Sequence, residues 1–388
     1  MEPQHPSSPA RTGRRRIVKR LKVIQLIEQK EIGDPEKVRR RLRDFLFDRR
    51  IDRLARAAHG KRFSEVSTVA NGDEIARLEH EALLKRVDEE RIRARVEKLF
   101  SRRAAASATS HLSKTEITKL QAARGDIPVA VAKSEAWADE VAARLHQEAP
   151  WLASATEVLW HSLRRSARLG EPIKISPLII NGPPGVGKTR LAKRFAELVS
   201  VPSVGLDAST GSPGFSIVGL ERGWGSAQPG RPVEMILESR MANGIVVVDE
   251  ICKAKSAESK KGTAFSFYDA LLSLLEPESA RRWECPFYRV SFDMSHLSWI
   301  FTSNDVDLVQ PTVKSRCTVV HVRALTPLEL QDFAIRRGRE LSLSDASIEA
   351  IIVALIHAQD RLNRRISLRD VSRMLARAQD LESRPIFQ

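Results

Sequence analysis

Short apolar runs alternate with amphipathic stretches between Pro177 and Leu325. Five of the runs are typical of buried strands: PLII (177–180), SVGLDA (203–208), GIVVV (244–248), LSWIFT (297–302) and TVVHV (318–322). Helical patterns lie between most of them. Because parallel strands that are buried on both faces read as continuous apolar runs, the pattern predicts an α/β fold with a parallel sheet and helices on both faces.

Helical patterns also flank this region. After Leu325 only helices are predicted, over 327–340, 345–359 and 367–380, and before it the pattern is helical from Arg14 to about Phe100. Asp34-Pro35 is a typical helix start, because Asp caps the helix and Pro suits its first position. The chain therefore divides into a disordered tail (1–13), a basic helical interaction region (14–125), an α/β domain with a helical lead-in (126–325) and a helical lid (326–388).

Charge is distributed unevenly along the 388 residues, whose net charge is +15. Residues 1–120 hold 30 Lys and Arg against 18 Asp and Glu, whereas the remainder holds 34 against 31. A basic segment binds nucleic acid through phosphate contacts, forms a solvated helix surface, or faces an acidic partner. The charge leaves all three open, so nucleic acid is one possible partner of residues 14–120.

Composition points to the cytoplasm. The sequence has no apolar run of about 18 residues, so no membrane span is expected. Its N-terminus is polar and then basic, without the apolar stretch of a secretory signal. The three cysteines fit no zinc spacing and cannot all pair, which favours a reducing compartment. Trp137, Trp151 and Trp160 fall in helical patterns and are expected to be packing residues.

The segment GPPGVGKT, at 182–189, matches the phosphate-binding P-loop pattern and lies between a predicted strand and a predicted helix. Glycines let consecutive backbone N–H groups point at phosphate oxygens, and the helix N-terminus adds positive potential. The lysine neutralises the outer phosphates, and the threonine hydroxyl serves Mg²⁺. The nucleotide-binding candidates are Gly182, Pro183, Pro184, Gly185, Val186, Gly187, Lys188 and Thr189.

Two further strands end in polar side chains. GIVVVDE places Asp249 and Glu250 at the tip of an apolar strand, where Asp249 is expected to hold Mg²⁺ and Glu250 to orient and polarise an attacking water. LSWIFTSND places Asn304 just past another strand, where its amide either holds that water or makes a turn. Arg316 and Arg369 are weaker candidates, since an arginine beside phosphates stabilises the charge that develops during transfer.

The order of these motifs resembles that of an AAA+ ATPase, and most closely the ATPase module of Lon proteases. NGPPGVGKTRLAKRFAE and VVVDEICKA are similar to stretches of that family, and YDALLSLLEPESARRWECPFYRVSFDMSHLSWIFTSN resembles a segment specific to Lon-like ATPases. The likeness covers about 177–381. It implies that Asn304 is the sensor asparagine, that Arg369 in the lid is a second sensor of the γ-phosphate, and that Arg316 is an arginine finger for the neighbouring subunit.

The resemblance also implies a homo-oligomer, with a hexameric ring as the family's arrangement. GLERGWGSAQPGR, at 219–231, is similar to the pore-loop region of Lon, and Trp224 falls at its aromatic position. An aromatic side chain on a glycine-flanked loop grips an extended polypeptide by apolar contact. The alternative is an ordinary surface or core tryptophan.

These features predict an ATP-hydrolysing, Mg²⁺-dependent Lon-like ring that remodels or threads a partner protein. The sequence ends at Gln388, directly after the lid, so we expect no proteolytic domain with a Ser–Lys dyad and no protease activity. Two other functions stay open. One is a nucleic-acid-associated ATPase that docks through the basic N-terminal region, and the other is an ATP-dependent assembly switch or scaffold.

Overall fold

The computed structural model describes residues 19–25, 34–105, 111–210, 213–222, 227–254, 257–258, 264–265, 267–362 and 366–383. They divide into two compact units. The larger comprises the described residues of 1–25 and 115–388, and the smaller comprises those of 26–114. The predicted disordered tail, 1–13, lies outside the described residues.

The secondary structure elements follow in chain order. The strands are β1 (Lys19–Lys22), β2 (Ile24–Gln25), β3 (Asp126–Val129), β4 (Leu178–Asn181), β5 (Ser203–Asp207), β6 (Ile245–Asp249), β7 (Ala257–Glu258), β8 (Ala264–Phe265), β9 (Trp283–Cys285), β10 (Val290–Phe292), β11 (Ser298–Ser303) and β12 (Thr318–His321). The helices are α1 (Pro35–His59), α2 (Phe63–Val66), α3 (Gly72–Ala82), α4 (Arg86–Ala105), α5 (Lys114–Ala122), α6 (Glu135–Glu148), α7 (Ala153–Leu169), α8 (Lys188–Val199), α9 (Pro213–Val218), α10 (Arg231–Ser239), α11 (Phe267–Leu275), α12 (Pro277–Ala280), α13 (Pro311–Lys314), α14 (Pro327–Glu340), α15 (Asp345–Leu362) and α16 (Leu368–Glu382).

A five-stranded parallel sheet forms the centre of the larger unit, in the order β12-β4-β11-β6-β5. Its strands are the five that the sequence predicts. Ile180, Val247 and Ile300 belong to one buried cluster with the helices, while Trp299 and Phe301 alternate with Ile300 and stack at 6.2 Å. Both faces of the sheet are therefore buried, which confirms the predicted α/β fold and explains the apolar runs.

The three predicted C-terminal helices are present as α14, α15 and α16 and pack on one another. Both α14 and α16 begin with a reciprocal capping box, in which the N-cap hydroxyl and an acidic side chain three residues later each accept from the other's backbone N–H. Local sequence fixes these starts, so the observed starts at Pro327 and Leu368 lie within one residue of those predicted at 327 and 367.

The helical prediction from Arg14 onward is wrong for residues 19–25. Lys19–Lys22 pair antiparallel with Asp126–Val129, and Ile24–Gln25 pair with β10. Both partner strands lie more than 100 residues further along the chain. A local pattern does not show a partner at that distance, and tertiary pairing overrides local propensity.

The smaller unit is helical, as predicted. Asp34 caps α1 by accepting from the Glu36 N–H at 2.9 Å, and Gly60 ends it with a left-handed φ of +66°. α1 packs against α3 and α4. One buried cluster of this unit consists of Ile51, Ala55, Val66, Leu78 and Ala82. Most charged side chains of this unit point to solvent.

Among the described residues, no helix combines the length and the apolar character needed to cross a membrane.

Candidate functional site

The sequence-predicted motifs meet at one edge of the central sheet. β4, β11 and β6 are parallel neighbours, with Ser303 beside Asn181 and Phe301 beside Val248. The glycine loop, Asn304 and the Asp249-Glu250 pair therefore all follow the carboxyl ends of adjacent strands. In open α/β sheets this edge is where ligands bind.

The glycine loop has a backbone that other residues would strain. Gly185 and Gly187 have φ values of +78° and +95°, in the left-handed region. A Cβ atom at Gly185 would lie 2.5 Å from Ser367 Cβ. The loop leads directly into the N-terminus of α8 at Lys188. Together these features form a cradle with free helix N–H groups, which suits phosphate oxygens.

Lys188 carries a buried positive charge at the centre of the cradle. Its side chain is 6% exposed, and Nζ donates to Gly182 O at 2.6 Å, Pro183 O at 2.8 Å and Asn304 Oδ1 at 2.9 Å. Burial lowers its pKa to about 8, and the nearby Asp249 carboxylate partly opposes that shift. No described carboxylate lies within ion-pair distance of Nζ. A buried ammonium held by neutral oxygens favours an incoming anion.

Asp249 and Thr189 form a set of hard oxygen donors beside Lys188. Thr189 Oγ1 donates to Asp249 Oδ1 at 2.9 Å, and the Thr302 hydroxyl donates to the same carboxylate oxygen. Carboxylate and hydroxyl oxygens are the protein ligands that Mg²⁺ prefers. The donors present therefore fit the predicted Mg²⁺ role of Thr189 and Asp249.

Glu250 projects from a strained turn immediately after β6. Its φ is +54°, its N–H donates to Thr302 Oγ1 at 3.1 Å, and its carboxylate accepts from Lys253 Nζ at 2.8 Å. The hydrogen bond with Glu250 raises the pKa of Lys253. Thr302 thus fixes both acidic residues, a role that the sequence reasoning missed. The available signal was a hydroxyl residue interrupting the apolar run of β11.

Asn304 and Arg369 complete the lining of the cavity. Asn304 contacts Lys188, and Arg369 is the second residue of α16. Within the described part of the chain, Arg369 has no hydrogen-bond or ion-pair partner, so its guanidinium is available to an anion. The cavity has a volume of about 270 Å³ and is lined by Pro184, Gly185, Gly187, Lys188, Thr189, Arg190, Asp249, Glu250, Thr302, Asn304, Phe333, Leu368, Arg369 and Ser372.

An adjacent cavity of about 260 Å³ shares Gly187, Arg190, Phe333 and Leu368 with the first, and its lining combines apolar side chains with charged ones. Trp151 lines it, donates through Nε1 to Val186 O at 2.8 Å and meets the Phe333 ring edge-on at 6.5 Å. The sequence predicts Trp151 only as a packing residue. The structure adds that its indole N–H is bonded to the glycine loop beside this second cavity.

Arg316 and Trp224 are not brought to this cavity. Arg316 is absent from the described lining residues, and it donates to Glu276 Oε2 at 3.0 Å and Thr312 O at 2.8 Å. Trp224 lies outside the described residues. Of the described residues on either side of it, Leu220 N donates to Gln228 O at 2.9 Å.

The sequence of this region is similar to those of known proteins. Residues 178–324 match the model of the family described as "ATPase family associated with various cellular activities (AAA)". The Lon protease of Campylobacter concisus is 28% identical over 217 residues, which cover 52% of this chain and 26% of that protein. The peroxisomal Lon protease homolog 2 of Caenorhabditis elegans is 28% identical over 155 residues, which cover 40% and 19%. The chain thus spans about a quarter, or less, of the length of these relatives.

Among solved structures, the S. cerevisiae Hsp104:casein complex in its extended conformation is similar to this chain. It is 16% identical, with a TM-score of 0.46 over 60% of this chain and 45% of that one.

The larger unit therefore contains a module that matches the AAA family model over 178–324, and this module has the AAA+ fold. Within that class, the module resembles the ATPase module of Lon proteases, as the sequence motifs indicate.

Proposed function

We propose that this chain hydrolyses ATP and uses the energy to remodel or thread a partner protein. The observation that carries the proposal is the convergence of Lys188, Asp249, Asn304 and Arg369 on one cavity. These residues come from the glycine loop, two strand ends and the lid. A cavity that collects cationic groups, hard oxygen donors and a carboxylate base suits a magnesium nucleotide.

Each residue has a role that its position supports. Lys188 and Arg369 offset the negative charge of the phosphates, and the adjacent cavity beside Trp151 and Phe333 accommodates the base. Thr189 and Asp249 would hold Mg²⁺, which supplies charge neutralisation at the phosphates when bound. Asn304 positions the attacking water. That water attacks the terminal phosphorus while Glu250 accepts its proton, and the bond from this phosphorus to the bridging oxygen breaks to release ADP.

We further propose that the active form is a homo-oligomeric ring, with six subunits as the family arrangement. Arg316 lies outside the cavity of its own chain and its side chain is partly exposed, which suits a residue that reaches a neighbour's site. Residues 126–325 and the lid, 326–388, would perform the ATPase cycle, and residues 14–125 would recruit the partner. Three free cysteines fit a reducing cytoplasm.

A polypeptide is the partner that the likeness favours. The relatives are named as proteases, and the region that matches the AAA family model, 178–324, contains the glycine loop and the acidic strand. The likeness therefore supports the ATPase chemistry and its coupling to protein substrates. Trp224, which lies in the sequence between the bonded residues Leu220 and Gln228, is the proposed gripping residue.

The test is steady-state ATP turnover of the full chain alone, with an unfolded polypeptide and with duplex DNA. We expect stimulation by the polypeptide, and loss of that stimulation in Trp224→Ala. Stimulation by DNA alone would favour a nucleic-acid ATPase. Slow turnover that neither addition changes, together with ATP-dependent assembly, would favour a switch or scaffold. Release of soluble fragments from the polypeptide would contradict the expectation of no protease activity.

A specific feature of α1 supports nucleic acid as the second candidate partner. Arg41, Phe45, Arg49 and Arg53 are spaced four residues apart and therefore share one helix face. Phe45 is 55% exposed, and the Arg49 guanidinium lies 5.7 Å from its ring centre. Within the described residues, these arginines have no ion-pair partner. Arginines suit phosphates, and an exposed ring suits a base.

The stripe is tested by DNA binding as a function of salt. Replacing Arg41, Arg49 and Arg53 with Ala should reduce the slope of log affinity against log salt by roughly 2–3, if each contacts one phosphate. Replacing the exposed Arg62, Arg77 and Arg93 removes the same charge from other surfaces of the same unit. An equal loss in both triple variants would show only unspecific attraction and remove this candidate.

A further inference from the structure

The first turn of α16 is held by reciprocal hydrogen bonds between Ser367 and Asp370. Asp370 Oδ2 accepts from Ser367 N at 3.0 Å and from Ser367 Oγ at 2.7 Å, and Ser367 Oγ accepts from Asp370 N at 3.4 Å. This reciprocal cap satisfies backbone donors that the helix cannot satisfy itself. It fixes the backbone on both sides of Arg369.

The same turn is bonded to the glycine loop. Leu368 N donates to Gly185 O at 3.1 Å. A Cβ atom at Gly185 would lie 2.5 Å from Ser367 Cβ, and one at Gly187 would lie 3.3 Å from Leu368 Cδ1. The lid and the phosphate-binding loop thus meet through residues 367 and 368, with only glycine leaving enough space.

Arg369 follows directly in this turn and lines the phosphate cavity without a partner among the described residues. A long, unpartnered side chain has many rotamers, so its aim depends on where its backbone is held. The cap and the bond to Gly185 hold that backbone.

We propose that Ser367 and Asp370 are positioning residues that aim Arg369 at the terminal phosphate by fixing the start of α16 against the glycine loop. The inference rests on the proposed function, because it assigns these residues to the same ATP site. Neither residue needs to touch the nucleotide. Their contribution is the geometry of the lid relative to the loop.

The lid contains a matched control. Thr326 and Glu329 form the same reciprocal cap at the start of α14, with Glu329 N donating to Thr326 Oγ1 at 3.3 Å and Thr326 N donating to Glu329 Oε2 at 2.7 Å. Neither residue is among the described residues that line the phosphate cavity. Thr326→Ala therefore removes an equivalent N-cap hydroxyl from the same lid.

The experiment compares Ser367→Ala with Thr326→Ala in the full chain. We expect Ser367→Ala to lower kcat for ATP about fivefold or more and to reduce the preference for ATPγS over ADP in direct binding, while Thr326→Ala changes both less than twofold. In an Arg369→Ala background, Ser367→Ala should cause little further loss, because the residue that it positions is gone. Asp370→Glu, which keeps a capping box, should retain most activity.

Equal effects of the two alanine variants would overturn the proposal, since they would reflect lid stability alone. A Ser367→Ala loss of the same size with and without Arg369 would also overturn it. Thermal midpoints of the variants show whether one has merely unfolded, and Asp370→Glu then provides the deciding comparison. If wild-type protein binds ATPγS but does not hydrolyse ATP, the proposed function is contradicted. The preference for ATPγS over ADP in the variants then still tests the role of the cap. Protein that binds neither nucleotide would overturn both.

Discussion

The nucleotide module and the helical unit of residues 34–105 handle charge in opposite ways. In the module, Lys188 is 6% exposed and bonds to Asn304, which lies 116 residues further along the chain. In the helical unit, the side chains of Arg86 and Glu90 are 93% and 49% exposed and lie one helical turn apart, although Arg50 and Asp88 form a more buried pair. The module gathers a few charges into a shielded cavity, whereas the helical unit spreads many over its surface.

This difference in exposure determines whether the function of a region can be inferred from its individual charged residues. A charge in a shielded cavity interacts strongly with its neighbours, so the identity and geometry of each group matter. Solvent and salt screen an exposed charge, so only the sum and arrangement of many such charges matter. We therefore expect the helical unit, with its excess of arginine, to attract any polyanion weakly, and the module to suit one class of ligand.

The largest expected effect tests whether the module is complete within one chain. Arg316→Ala should lower ATP turnover by about 10³-fold, because an arginine supplied to the transferring phosphate contributes on that scale. Mixing it with Lys188→Ala, itself inactive, should restore part of the activity, since a mixed ring contains sites with both intact residues. Arg282→Ala, an exposed arginine elsewhere on the module, is the control.

The mixing result has a clear contrary outcome. If light scattering shows that the two variants assemble together but no ratio restores turnover, Arg316 does not act on a neighbour's site. Arg316 would then contribute only through its contacts with Glu276 and Thr312 in its own chain, like the partly exposed arginines of the helical unit.

The next effect tests the acidic pair of the module. Glu250→Gln should reduce turnover about 10²-fold or more with nucleotide affinity retained, because the amide cannot accept the proton of the attacking water. The measurement is turnover together with binding of a fluorescent ATP analogue. Glu278→Gln changes an exposed carboxylate and should leave both unchanged. Normal turnover in Glu250→Gln would assign the base to another residue.

Sequence reasoning predicts the module far better than its surroundings, for physical reasons. Each of the five central strands is buried on both faces, so its burial is visible as an apolar run. The glycine loop is equally visible, since φ values such as those of Gly185 and Gly187 require that residue. Local signals also define the starts of α1, α14 and α16.

What the sequence does not predict depends on distant partners. β1 needs residues 126–129 before it can be a strand, and Trp151 becomes part of the site only because Val186 and Phe333 fold against it. The contact of residues 367 and 368 with the glycine loop is of the same kind. The roles of Arg316, Trp224 and the basic helical region remain predictions, because they require a second molecule.

A third prediction compares the free energy of unfolding that is lost when one asparagine is replaced in each region. Asn243 is 1% exposed, accepts from Ala130 N at 2.8 Å and donates to Ala130 O at 3.0 Å and Ile173 O at 2.9 Å. Asn243→Ala should destabilise the module by about 3 kcal/mol, since it removes three buried hydrogen bonds. Asn71→Ala removes only the exposed N-cap of α3 and should cost about 1 kcal/mol.

These two losses are measured by urea unfolding of the full chain, with hydrogen exchange assigning each transition to its region. Faster exchange near Ala130 in Asn243→Ala, without a change in α3, is the expected pattern. Equal losses in the two variants would mean that burial does not strengthen the hydrogen bonds of the module, and the contrast between the regions would not extend to stability.

The smallest expected effect is the pH-dependent stability that the Glu329 carboxylate gives to the lid. The bonds from Arg323, followed by those from Thr326, lower the pKa of Glu329 to about 2. Because this folded-state pKa lies below the ordinary value of 4.5, the stabilisation is complete above pH 4.5 and is lost as the pH falls towards 2. Glu329→Gln keeps an acceptor oxygen but loses the charge, and should cost about 1 kcal/mol at pH 7, after discounting for the exposure of Arg323.

The matched change in the helical unit is Glu90→Gln, which removes the exposed partner of Arg86. We expect the thermal midpoint to fall in Glu329→Gln at pH 7, to fall less at pH 3, and to be unchanged in Glu90→Gln at both values. A loss in Glu329→Gln that is the same at both pH values would mean that the capping geometry, and not the carboxylate charge, stabilises the start of α14. A measurable loss in Glu90→Gln would show that exposed pairs of the helical unit are coupled more strongly than their exposure indicates, because screened pairs of that kind contribute little on their own.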